Sequence, residues 1–177
     1  IFTIDGYEFV VDLLNEDWKS HNFSNFDVVF HVAGIAHVKE RPENNALFNK
    51  VNCELTVEVA KKAKEAKVKH FVFLSSMSVY GLEIGHITKE TLPAPNTAYG
   101  KSKLSAEIEL KKMQSNDFKI AILRPPMIYG EGCKGNYNAL VSFANIIPFF
   151  PSIRNSRSLL FIDTLCEFVK NIIDSTS

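Results

Sequence analysis

The chain has 177 residues, and its 20 lysine and arginine residues balance 20 aspartate and glutamate residues. A net charge of zero gives no electrostatic reason to expect nucleic acid or an acidic membrane surface as a partner. The length suits one domain, and no apolar run is long enough to span a membrane. The three cysteines lie far apart without a CxxC pair, which predicts neither a zinc site nor a disulfide scaffold and favours a cytoplasmic location.

The first half of the chain alternates short apolar runs with helical patterns, which is typical of a parallel α/β sheet. YEFVVD predicts a strand that ends at Asp12, and FDVVFHVAG predicts a buried strand over residues 28–32. After Pro42, apolar residues four positions apart form one stripe of a long helix. The stripe consists of Leu47, Val51, Leu55 and Val59.

The second half continues the alternation. HFVFLSS predicts another strand, and the helix beginning in NTAYGKSKLSAEIEL has Leu104, Ile108 and Leu110 as core candidates. FKIAILRPPMIYG predicts a strand broken at Pro125 and Pro126, because proline cannot continue a central ladder. NALVSFANIIPFFP and DTLCEFVKNII predict two further helices.

Polar or turn-forming residues follow each predicted strand. They are Asp12, Ala33 and Gly34, Ser75 and Ser76, and Arg124 and Pro125. In open parallel sheets the ligand crevice lies at the carboxyl ends of the strands. The coincidence therefore predicts a binding site at this edge.

Tyr99 and Lys103 are candidates for acid–base chemistry. Positions i and i+4 share a helix face, so an ammonium can lie near the phenol. A free phenol has a pKa of about 10, and a cation within about 4–6 Å lowers that value. We therefore expect Lys103 to lower the pKa of Tyr99 toward the range of efficient general acid–base catalysis. The pair alone is also compatible with an ordinary exposed helix face. Ser76, 23 residues before Tyr99, is placed to supply a hydroxyl.

Four motifs occur in order: VFLSSMSVYG, YGKSK, ILRPPMIYGEGCKGNY and RSLLFID. Together they resemble the extended short-chain dehydrogenase/reductases, and especially the NAD-dependent epimerase/dehydratase group that acts on nucleotide sugars. The resemblance runs from VVDLL to RSLLFIDTLCEFV. It implies a Rossmann-like parallel sheet flanked by helices, in a single partial domain over residues 1–177, with the beginning of the substrate-binding part at about residues 130–177.

The resemblance implies a catalytic trio of Ser76, Tyr99 and Lys103. Tyr99 would exchange the proton of a sugar hydroxyl while hydride passes to or from NAD, with NADP left open. Lys103 would also hold the nicotinamide ribose, and Ser76 would orient the hydroxyl or ketone and so contact the substrate.

The resemblance also implies binding residues. Asp12 and Leu13 would contact adenine, and Val32, Ala33 and Gly34 would form a loop that the cofactor approaches closely. Asn49 would lie on the helix behind that loop, with Asn52 as the alternative, and Pro126 would contact the nicotinamide. Asn136 and Arg157 would bind the nucleotide diphosphate. His31, by contrast, is predicted to be packed and hydrogen-bonded rather than a base, and no metal is expected.

One feature of the family is missing from the sequence. The family begins with a strand and a GxxGxxG turn that holds the cofactor pyrophosphate, and no GxxGxxG occurs here. We therefore expect an N-terminally truncated part of a longer enzyme, with an exposed edge on the FDVVFHVAG strand. For the 177-residue chain itself we expect weak or absent NAD binding and little turnover.

The favoured function is a UDP-hexose 4-epimerase acting on UDP-glucose or a UDP-N-acetylhexosamine. An NAD(P)H-dependent 4-keto-sugar nucleotide reductase and a non-catalytic fragment or scaffold protein are the alternatives. A dehydratase is less favoured, because Met77 and Ser78 stand where those enzymes usually carry an acidic pair. The resemblance also suggests a homodimer through two long helices, over residues 43–67 and 98–114, packed as a four-helix bundle.

Overall fold

The computed structural model describes residues 13, 16–36, 38–131, 141–142, 146 and 156–175. At its centre three parallel strands form a sheet in the order β1-β2-β3. They are β1 (Val28–His31), β2 (His70–Leu74) and β3 (Lys119–Leu123). Within the described part of the chain β1 lies at one end of this strand order, and the predicted YEFVVD strand falls outside the described residues.

Parallel strands need a crossover connection, and helices provide both crossovers. The first begins with a 3₁₀ turn at Pro42–Asn44 and runs through α1 (Asn45–Asn49), a π-helical turn (Lys50–Glu54) and α2 (Leu55–Glu65). The second contains α3 (Ala98–Met113). Both predicted long helices are confirmed, although the sequence pattern did not predict the π-helical turn.

The sheet is covered on both faces. The alternation of side chains along the strands directs Phe71 and Phe73 of β2 toward the crossover helices. There they share one core cluster with residues of α2 and α3, namely Ala60, Ala63, Ala106 and Leu110. One predicted core candidate, Ile108, is instead exposed by 48%, and Leu47 of the apolar stripe is exposed by 45%. They lie on the faces of α1 and α3 that point away from the sheet.

The opposite face is covered by α4 (Ile162–Asp174), which confirms the last predicted helix. Its buried residues Leu165, Val169 and Ile173 pack against Val28 and other apolar side chains of the strands. Part of the predicted helix in NALVSFANIIPFFP lies outside the described residues. In the described part of the chain, no helix is long and apolar enough to cross a membrane.

The prolines after β3 redirect the chain. Pro125 and Pro126 end the main sheet, as predicted, and β4 (Met127–Tyr129) instead pairs in parallel with β5 (Leu159–Phe161). The break follows from proline lacking the N–H that a central ladder needs.

Candidate active site

Ser76 follows the end of β2 and caps a 3₁₀ turn at Met77–Tyr80. Its hydroxyl oxygen accepts a hydrogen bond from the main-chain N–H of Ser78 at 3.2 Å. The preceding residue is tied to the neighbouring strand, because the N–H of Ser75 donates to the carbonyl oxygen of Leu123 at 2.7 Å. Ser76 therefore lies at the carboxyl edge of the sheet, where the sequence predicted a site.

Tyr99 lies in the first turn of α3. Thr97 caps this helix by accepting from the N–H of Gly100 at 3.0 Å. A Cβ atom on Gly100 would stand 2.6 Å from the carbonyl oxygen of Ser78, so the helix approaches the 3₁₀ turn as closely as a glycine permits. The Tyr99 side chain lies close enough to Ser76 for this hydroxyl to favour the ionised phenol. Burial raises the pKa of Tyr99, and the interaction with Ser76 opposes this only in part.

Lys103 lies one turn further along α3, and it is buried. Its Nζ donates to the carbonyl oxygen of Leu74 at 2.9 Å and lies 4.6 Å from the centre of the Phe73 ring. Burial lowers the pKa of Lys103 to about 8, while the nearby carboxylate of Glu107 opposes the shift. The expectation that Lys103 lowers the pKa of Tyr99 is not met, because burial of the phenol outweighs every favourable interaction.

The loop after β1 reaches the same place. A Cβ atom on Gly34 would stand 3.4 Å from Lys103 Nζ and 2.8 Å from Asn52 Oδ1. Asn52, in the π-helical turn, is fully buried and binds both main-chain groups of Ile35. Asn49 is exposed, and its amide instead binds a carboxylate of its own helix. The structure thus brings the alternative asparagine to the loop. π-Helical turns are frequent at functional sites.

A buried charged network beneath the trio was not predicted from the sequence. The carboxylate of Glu107, which is fully buried, accepts from Ser75 Oγ at 2.5 Å and from Arg124 Nε at 2.9 Å. Arg124 Nη1 donates to the hydroxyl of Tyr80 at 2.8 Å. The network joins the ends of β2 and β3 to α3. The available signal was a glutamate one helical turn after Lys103, on the face that carries the core residues.

His31 is buried, with Nε2 at 2.9 Å from Thr56 Oγ1. The Thr56 hydroxyl donates its proton to the carbonyl oxygen of Asn52, so the ring nitrogen of His31 has to be the donor. Burial, with a smaller contribution from the Lys103 ammonium, lowers the pKa of His31 to about 3. The prediction of a packed, hydrogen-bonded histidine is confirmed.

The remaining predicted site residues lie at several places. Leu13 is half-buried against the core cluster, Val32 and Gly34 are exposed, and Ala33 between them is half-buried. Pro126 is half-buried between β3 and β4, and Arg157 is exposed just before β5. Asp12 and Asn136 lie outside the described residues.

One buried hydroxyl at the site, that of Ser78, lacks a hydrogen-bond partner among the described residues. Buried polar groups are normally satisfied, so a polar ligand group is a natural partner. The hydroxyls of Ser76 and Tyr99 and the Lys103 ammonium add further groups of the kind that hydrogen-bond ligand hydroxyls.

Comparison with known proteins agrees with this arrangement. The model of the NAD dependent epimerase/dehydratase family matches residues 7–174. The chain belongs to this family. The resemblance read from the sequence motifs is thereby confirmed.

Two curated relatives are epimerases by name. The UDP-glucose 4-epimerase of Vibrio cholerae is 36% identical over 159 residues, covering 85% of this chain and 48% of that protein. The N-acetyl-alpha-D-glucosaminyl-diphospho-ditrans,octacis-undecaprenol 4-epimerase of Escherichia coli O157:H7 is 30% identical over 165 residues, covering 90% and 49%. The chain therefore spans about half the length of these relatives.

A solved structure supports the fold. The UDP-glucuronic acid 4-epimerase from Bacillus cereus, in complex with UDP-glucuronic acid and NAD, matches with a TM-score of 0.77 at 24% identity. The match covers 94% of this chain and 55% of that one. The predicted Rossmann-like fold is confirmed.

Proposed function

We propose that this protein is an NAD-dependent nucleotide-sugar 4-epimerase that acts on UDP-glucose or a UDP-N-acetylhexosamine. The observation that carries the proposal is the buried Tyr99 phenol close to Ser76, with Lys103 buried one turn along the same helix. The names of the two curated relatives support 4-epimerisation over other reactions of the family.

The residues of this chain divide the work. Tyr99 takes the proton of the C4 hydroxyl and returns it, while Ser76 holds the same oxygen. The raised pKa of Tyr99 keeps the phenol protonated at neutral pH, so Tyr99 is ready to act as the acid. To act as the base, the phenol has to lose its proton, which requires a bound ligand that lowers its pKa. Lys103 keeps its charge below about pH 8 and holds the nicotinamide ribose. NAD, when bound, would supply the hydride acceptor and donor that allows C4 to be oxidised and then reduced from its opposite face.

The test uses the protein expressed from its complete open reading frame. Incubation with UDP-glucose and with UDP-N-acetylglucosamine, with NAD and without a reductant, should produce the 4-epimer of at least one sugar, detected by NMR. Stoichiometric consumption of NADPH with a 4-keto sugar nucleotide would instead identify a reductase. No turnover of any of these compounds would favour a scaffold and contradict the proposal.

The proposed oligomer is a homodimer through the face formed by α1 and α3. Exposed Leu47 and Ile108 on these helices support the proposal, because burying apolar surface favours association. Replacing both with glutamate should convert a dimer to a monomer in light scattering. A wild-type protein that is monomeric at all concentrations would contradict the proposal. The cytoplasmic location remains a prediction.

A further inference from the structure

The N-terminus of α3 is held by a carboxylate from a distant part of the chain. Glu40 Oε2 accepts from the N–H of Ala98, and its Oε1 accepts from the N–H of Tyr99, both at 2.9 Å. The first N–H groups of a helix have no partner within the helix, and a negative charge at this end is favourable. Glu40 lies 59 residues before Tyr99 in sequence, so this is a tertiary link rather than a local cap.

The carbonyl group of Tyr99 is held as well. Ser102 Oγ donates to this oxygen at 2.8 Å and in turn accepts from Asn52 Nδ2 at 3.0 Å. Asn52 also binds Ile35, which lies five residues before Glu40. Glu40 and Asn52 both belong to the segment that runs from the loop after β1 to the π-helical turn. Glu40 binds the N–H of Tyr99, and Asn52 binds Ser102, which donates to the carbonyl oxygen of Tyr99.

We propose that Glu40 is a positioning residue of the active site, which fixes the phenol of Tyr99 against Ser76 by binding the main-chain N–H of Tyr99. The inference rests on the proposed function, because it concerns the same phenol. Glu40 is exposed at the surface and does not touch the reacting atoms in this arrangement; it acts through the main chain of Tyr99. It also links that residue to the loop containing Gly34, which approaches Lys103.

An ordinary helix cap would contribute only stability, and the same helix offers a matched control. Thr97 caps α3 by accepting from Gly100, so Thr97→Ala removes one bond from the same helix end without breaking the link to the loop. Glu43→Ala is a second control, because it removes an exposed carboxylate from the 3₁₀ turn that follows. Glu40→Gln keeps the length and one acceptor oxygen, and Glu40→Ala keeps neither.

The kinetic experiment measures kcat and KM of the complete protein for its UDP-sugar, together with the melting temperature. Small displacements of a reacting group cost up to about 100-fold in rate. We expect Glu40→Ala to lower kcat by about 10- to 100-fold with KM changed less than about threefold, and Glu40→Gln to recover part of the loss. Thr97→Ala should lower the melting temperature by a similar amount yet keep kcat within about twofold. Equal loss of kcat in Thr97→Ala and Glu40→Ala would overturn the proposal.

A second measurement does not depend on turnover. With ¹³Cζ-labelled tyrosine, the Tyr99 resonance is assigned by its loss in Tyr99→Phe. We expect it to shift in Glu40→Ala and to stay in place in Thr97→Ala and Glu43→Ala. An unmoved resonance in Glu40→Ala would reject the positioning role even if the enzyme proves active. A shifted resonance in a protein without epimerase activity would reject the proposed function and retain the link.

Discussion

Asn52 binds both main-chain groups of Ile35. Its Oδ1 accepts from the N–H of Ile35 at 2.8 Å, and its Nδ2 donates to the carbonyl oxygen of Ile35 at 3.0 Å. The Asn52 side chain thereby supplies a hydrogen-bond partner for both the N–H and the carbonyl oxygen of Ile35. It also fixes the loop that contains Gly34 beside Lys103.

Because only Asn52 binds the loop, Asn52 and Asn49 should differ in their effects on stability and on NAD binding. Asn52→Ala leaves buried polar groups unsatisfied, and we expect it to cost about 1–3 kcal/mol in the free energy of unfolding and to weaken NAD binding. Asn49→Ala is the control, because Asn49 is exposed, and it should change stability by less than about 0.5 kcal/mol. Urea unfolding and calorimetric titration with NAD measure both effects. Weaker NAD binding in Asn49→Ala than in Asn52→Ala would reverse the assignment.

Gly100 tests the close approach of α3 to the turn after Ser76. In an exposed helix, glycine to alanine stabilises by about 1 kcal/mol. Here the added Cβ would meet the carbonyl oxygen of Ser78 at 2.6 Å, and a main-chain atom has little freedom to move. We expect Gly100→Ala to destabilise the protein and to lower kcat, whereas Lys101→Ala, on the exposed neighbouring residue, does neither. A rise in melting temperature in Gly100→Ala would show that the helix and the turn are not in contact.

Glu107 tests the buried network. Glu107→Gln removes the charge that Arg124 faces, and breaking such a pair typically costs about 3 kcal/mol or more. The matched control is Glu109→Gln on the same helix, which breaks the exposed pair with Lys112 and should cost less than about 1 kcal/mol. Denaturant unfolding compares the two. Similar values for both variants would mean that the network contributes no more than a surface ion pair.

Buried His31 should make the free energy of unfolding decrease as the pH falls. Its pKa is about 3 in the folded chain, compared with 6.5 for an unperturbed histidine side chain. As the pH falls below 6.5, the unfolded chain therefore takes up a proton that the folded chain does not, and stability decreases down to about pH 3. Between pH 7 and pH 5 this group should remove about 2 kcal/mol.

The variant His31→Gln keeps a donor toward Thr56 and should lack that part of the pH dependence, while His86→Gln, at an exposed position, should retain it. Urea unfolding at the two pH values provides the comparison. An identical loss of stability in His31→Gln and the wild type would show that His31 is not buried as described.

The sequence predicted the parallel sheet for a physical reason. Strands such as HFVFLSS, buried on both faces, read as continuous apolar runs, and the residues that end them are necessarily at one edge of a parallel sheet. Ser76 could be placed at this edge on that basis, whereas Tyr99 was assigned from its spacing to Lys103 and from the family resemblance.

Other features depend on tertiary contacts that no local pattern encodes. The choice between Asn49 and Asn52 is set by a π-helical turn, which shifts the face of the helix that meets the loop. The raised pKa of Tyr99 reflects burial, whereas the i, i+4 spacing revealed only the nearby lysine. Glu40 could not be linked to Tyr99 from sequence, because 59 residues separate them.

The central claim is that the Tyr99 hydroxyl, close to Ser76, carries the proton in catalysis. Its most direct test is Tyr99→Phe in the complete protein, with kcat measured for the UDP-sugar and NAD affinity measured by calorimetry. A positioned general acid–base contributes about 10²- to 10⁴-fold, so kcat should fall by this factor while the affinity for NAD stays within a few-fold. A variant that turns over at the wild-type rate would contradict the claim.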